Sequence, residues 1–77
     1  MNIKDKKMKL FINGQTTAII AENPTMLVAL NHYLSNEQQQ QSFAVALNGE
    51  FVGKADYQHT SVNQGDSIDV LFPIQGG

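Results

Sequence analysis

The chain has no cysteine, which removes disulfides, thiolate metal sites and thiol nucleophiles from consideration. No apolar run approaches the roughly 18 residues that a membrane span needs. The opening "MNIKDKKMKL" has charge but no apolar stretch behind it, unlike a secretion signal. The expected setting is therefore the cytoplasm, with no membrane partner. Basic residues are nearly absent beyond the start. Lys4, Lys6, Lys7 and Lys9 all lie in the first nine positions, and from Leu10 onward Lys54 stands alone against six acids, leaving the body at −5. Nucleic acid is a poor partner for such a surface, because phosphate binding needs clustered bases. A partner protein with a basic face fits better, although the same charge also serves solubility.

What remains is a 77-residue chain, 42% hydrophobic and 16% charged, which is one small globular domain with a thin core. Residues 1–7 are polar and unpatterned and are expected to be a loose extension. "MKLFIN" then alternates, with Met8, Leu10 and Ile12 on one face, and Asn13-Gly14 is a strong hairpin turn. "TTAIIA" returns as a second, β-branched strand. After "ENPT" the period changes. Leu27, Leu30 and Leu34, with Met26 and Tyr33, recur at helical spacing behind Thr25 as N-cap. The helix is expected to fade around Ser35–Asn36, with "EQQQQS" as a polar connector.

Phe43, Val45 and Leu47 alternate inward on a third strand, and a second Asn-Gly turn at Asn48–Gly49 leads into "EFV". "GKADYQHTSVN" reads as irregular with room for one helical turn. "QGD" turns the chain into "SIDVLFP", where Ile68, Val70 and Phe72 share one face and Asp69 and Leu71 the other. The order ββ, α, ββ, β predicts an α+β fold, a small mixed sheet with one helix on one face and the first and last strands adjacent at its centre.

The ending "FPIQGG" raises the functional question. A terminal carboxylate becomes an acyl donor only once activated, for instance as an acyl-adenylate made from ATP. To be activated by another protein it must enter that protein's active site. A tail ending without side chains suits a narrow channel, and glycine accepts backbone conformations closed to other residues. The four residues Ile74, Gln75, Gly76 and Gly77 span about 13–14 Å when extended. Alternatively, the glycines are incidental and the domain is a plain binding module.

The stretch from Val45 to Gly77, with its "ALNGE-V" strand-turn-strand, its "GD" turn, its alternating last strand and its terminal "GG", resembles the ThiS family of thiamine-biosynthesis sulfur carriers. "MKLFING" at Met8–Gly14 resembles the family's opening strand. Where relatives often carry Pro, Arg and Trp, this chain has Gly53, Lys54 and Tyr57. The resemblance implies a ubiquitin-like β-grasp domain over residues 8–73, with 74–77 as a C-terminal tail. It also implies a protein cosubstrate rather than an enzyme, a monomer when free, with no cofactor bound. In that role Gly77 is adenylylated by an E1-like adenylyltransferase (ThiF) using ATP. It is then converted to a thiocarboxylate with sulfur from a donor protein, and gives that sulfur to thiazole synthase (ThiG). Gly76, Gln75 and Ile74 are the implied tail-recognition residues. The ending also echoes the molybdopterin synthase small subunit (MoaD), but only one proline, Pro73, precedes the glycines here.

Phe11 and Leu71 point away from the helix, and with the first and last strands adjacent they are expected to form an apolar docking patch beside the tail. His32 and His59 are expected to be surface residues rather than metal ligands, having no obvious partners at ligand spacing.

Overall fold

The computed structural model describes residues 5–74. Five strands form one sheet: β1 Lys6–Ile12, β2 Gln15–Ala21, β3 Ala44–Leu47, β4 Glu50–Val52 and β5 Ser67–Leu71. Their order is β2-β1-β5-β3-β4. The expected central pair is therefore present, with β1 and β5 parallel and the two hairpins antiparallel. Helix α1, Met26–Tyr33, covers one face, and a six-residue 3-10 helix at Lys54–His59, about two turns, stands where a single turn was expected.

The two Asn-Gly turns set the hairpin registers. Asn13 and Gly14 have φ of 52° and 78°, and Asn48 and Gly49 have 50° and 88°, the paired positive values that match strand twist in a two-residue loop. Ile12 consequently faces Gln15, and Leu47 faces Glu50. Each turn asparagine also reaches β5. Asn13 Oδ1 accepts from the Val70 amide at 2.7 Å, and Asn48 Oδ1 accepts from the Ser67 amide at 2.9 Å. Both hairpins are thereby tied to the strand that precedes the tail.

β1 begins at Lys6, ahead of the expected start at Met8, because the ladder with β2 continues through Lys7↔Ile20 to Lys6↔Ala21. Leu10, Ile12, Ile19, Met26, Val45, Val62 and Ile68 are fully buried. Each large aliphatic among them contributes about 1.5–3 kcal/mol by leaving water. α1 is only eight residues long, too short to be stable alone. It is held by Met26, Ala29, Leu30 and the following Leu34 in the core, and by Thr25, whose hydroxyl accepts from the Val28 amide.

Three local expectations need correction. Leu27 is exposed rather than core, because the buried stripe runs through Met26, Ala29 and Leu30. α1 stops at Tyr33, before the expected end, and Leu34 takes an extended conformation. The supposed connector holds a second short helix, α2 Asn36–Gln39. Ser35 Oγ accepts from the Gln38 amide while Gln38 Oε1 accepts from the Ser35 amide. This reciprocal cap satisfies two amides that a helix start otherwise leaves unpaired.

Candidate functional site

The face of the sheet opposite α1 is open. β5 presents Ser67, Asp69 and Leu71 there, and β1 presents Lys7, Lys9 and Phe11, while the alternate residues are buried. β3 contributes Ala44 opposite Leu71 and Ala46 opposite Asp69. On the other side of β3, Phe51 of β4 faces Ala46. Directly paired residues share a face, so Phe51 and Leu71 stand on the open side with two alanines between them. Phe51 is 77% exposed and Leu71 54%. Two large apolar side chains therefore flank a low floor of methyl groups, with Asp69 the one acid in the strip.

The expected pairing of Phe11 with Leu71 does not occur. Phe11 is exposed on the same face, but it lies level with Ser67 in the parallel ladder. Leu71 is four residues further along β5, roughly 13 Å away at about 3.3 Å per residue. β1 and β5 overlap only at Phe11↔Ser67 and Ile12↔Ile68, so the two hairpins project past each other in opposite directions. Phe51 takes the place expected of Phe11. Its signal was present in "NGEF": with Phe43, Val45 and Leu47 facing inward, a two-residue turn returns Phe51 opposite outward Ala46.

The strip leads to the root of the tail. After Leu71 the chain turns Phe72 back to the core side, where its ring meets Phe43 at 5.5 Å. Phe43 in turn stacks on Tyr57 at 6.5 Å. Proline cannot donate to the ladder, and β5 is over by Pro73. Ser42, Phe43, Ala44, Leu71, Phe72 and Pro73 enclose a shallow cavity of about 400 Å³. Ile74 projects from this root with 96% of its surface exposed. Gln75, Gly76 and Gly77, expected to complete the recognition tail and carry the modified carboxyl, lie outside the described residues.

Among the described residues no charged or amide side chain is buried. His32 sits on α1 and His59 at the end of the 3-10 helix, and no three His, Asp or Glu residues there come together as a metal cluster. Burial pushes the Tyr57 phenol above its ordinary range. No described helix is long and apolar enough to cross a membrane.

The comparisons with known proteins agree with this architecture. The family model described as the ThiS family matches residues 6–77. A crystal structure of a thiamine biosynthesis protein (ThiS) from Geobacter metallireducens is similar, with a TM-score of 0.71 and 27% sequence identity. The match covers 91% of this chain and 100% of that one. No curated protein sequence matches the chain. With a β-grasp sheet, its helix on one face and a family match running from β1 through the final glycine, the chain belongs to the ThiS family of sulfur carriers.

Proposed function

We propose that this protein carries sulfur for thiazole formation in thiamine biosynthesis, in the cytoplasm, on the carboxyl group of Gly77. The single observation that carries the reading is a family match that extends through Gly77. A carboxylate oxygen of Gly77 attacks the α-phosphorus of ATP in the E1-like adenylyltransferase and releases pyrophosphate. The outer sulfur of a persulfide on the donor protein then displaces AMP to give an acyl disulfide. A second thiol attacks the donor-side sulfur, releasing the thiocarboxylate and leaving a disulfide on the donor. Thiazole synthase accepts the sulfur. The folded body supplies no reacting group. It anchors the root through Phe72 and delivers the Gly77 carboxyl to the partner's cleft.

The strip of Leu71, Ala44, Ala46 and Phe51 is the docking contact in this reading. It adjoins the root, so a partner gripping it brings the tail within reach of its own active site. Asp69 within the strip favours a partner surface that is apolar with one basic group, in keeping with the acidic body. Phe11 lies outside this contact.

Intact mass after incubation with the activating enzyme, ATP and the sulfur donor tests the proposal. One C-terminal oxygen should be replaced by sulfur in the full chain and in no product of a chain lacking Gly77. An unmodified full chain under conditions that modify another family member would overturn it.

A further inference from the structure

Among the described residues the outer edge of β2 is the one long sheet edge, seven residues against three for β4. In a two-residue hairpin the closing pair exchanges both backbone bonds, and antiparallel pairs then alternate. Bonded pairs are therefore Ile12/Gln15, Leu10/Thr17, Met8/Ile19 and Lys6/Ala21. The intervening residues turn their backbone groups away from the shared ladder. On β1 this is visible directly. The Phe11 amide donates to Asp66 O at 2.9 Å, the Lys9 amide to Gln64 Oε1 at 2.8 Å, and Lys9 O accepts from the Gly65 amide. By the same alternation, the N–H and C=O groups of Thr16, Ala18 and Ile20 point outward from β2.

Proteins usually blunt such an edge with charge, proline or a bulge. The strand "QTTAIIA" has no charge and no proline, and its ladder runs unbroken through seven pairs. Its side chains also define what fits. On the open face Thr16, Ala18 and Ile20 lie beside Phe11, Lys9 and Lys7 respectively. Ala18 offers only a methyl group, so the Lys9 side chain can reach across it to a residue on an added strand. On the helix side Thr17 and Ala21 are half-buried and Ile19 is buried, which favours apolar residues at alternate positions.

We infer that the β2 edge receives an extended segment of a partner protein as a sixth strand, with acidic side chains over Lys7 and Lys9 and apolar ones toward the helix. Main-chain pairing supplies the affinity and the alternating side chains supply the selection. A second copy of this chain fits less well. Two β2 edges joined about Ala18 would bring Lys7 and Lys9 of both copies onto one continuous face, where like charges oppose pairing. This surface is separate from the strip at the tail root and does not depend on the sulfur chemistry.

The test is titration of ¹⁵N-labelled protein with a capped seven-residue peptide alternating valine and glutamate. The Thr16, Ala18 and Ile20 amides should shift and exchange more slowly. A peptide with lysine for glutamate should bind about tenfold more weakly, and Lys9→Glu should reverse that preference. Ala18→Pro removes only an outward N–H, so it should abolish binding while the Lys9 and Phe11 amides keep their positions. Should that variant unfold, the two peptides and Lys9→Glu still decide the matter. Equal binding of both peptides, shifts centred on β4, or no shifts at all would overturn the inference. So would peptide-free shifts of these amides with protein concentration, which would identify a second copy as the occupant.

Discussion

Two side chains illustrate how much a single residue decides in so small a domain. Asn13 is both a turn residue at positive φ and the acceptor for the part-buried Val70 amide. Asn13→Gly keeps the turn conformation and deletes only that bond, so it isolates the cost of an unpaired amide, about 1–3 kcal/mol. Each kcal/mol lowers Tm by about 4–8 °C in a domain of this size, and thermal unfolding measures it. Asn48→Gly should cost less, because its bonds to Asp66 and Ser67 are exposed. Tyr57 gives a pH signature. Its folded form holds the phenol proton more tightly than the unfolded chain, whose value is near 10.0. Below that pH the group adds no slope. Above it unfolding releases a proton, so stability falls as pH rises toward the folded value. Denaturant unfolding from pH 8 to pH 11 should show a smaller alkaline loss in Tyr57→Phe.

At the scale of elements, strand register governs which exposed residues work together. Leu71→Asp and Phe51→Asp should each weaken binding to the activating enzyme about tenfold or more, as loss of a central apolar contact does. Phe11→Asp should change it little. All three positions are exposed, so circular dichroism and Tm should stay close to those of the parent. Equal sensitivity at Phe11 would restore the patch expected from sequence and reject the strip. α2 shows what a short element rests on. Ser35→Ala removes the hydroxyl half of its cap and should cost about 0.5–2 kcal/mol, with faster amide exchange confined to residues 35–41.

At the scale of the whole molecule, the proposed function divides the work between body and tail. The body's buried residues are apolar apart from the Tyr57 phenol, and the proposed reacting group is a backbone carboxyl five residues beyond Phe72, the last ring held in the fold. A chain extended by one bulky residue after Gly77 should therefore keep its Tm and its affinity at the Leu71–Phe51 strip while losing thiocarboxylation. Intact mass and binding measured on the same sample separate the two effects. Sulfur transfer at an unchanged rate would show that the terminal carboxyl of Gly77 is not the carrier group.

Much of this was legible in the residues themselves. The strand alternations at Met8–Ile12 and Ile68–Val70, both Asn-Gly turns, Thr25 as N-cap and the order of elements follow from short-range rules of period and turn chemistry. The same rules contained Ser35–Gln38 as a reciprocal cap, its signal masked by the glutamine run that follows, and Phe51 as an outward residue. What short-range rules could not supply was the position of β5 against β1. A hairpin's register is dictated by the turn that closes it, a local matter. A parallel pair has no such turn, and its register emerges only when Leu10, Ile12, Ile68 and the helix pack together. That packing left Phe11 level with Ser67, moved the exposed strip to Leu71 and Phe51, and so decided which surface stands at the root of the tail.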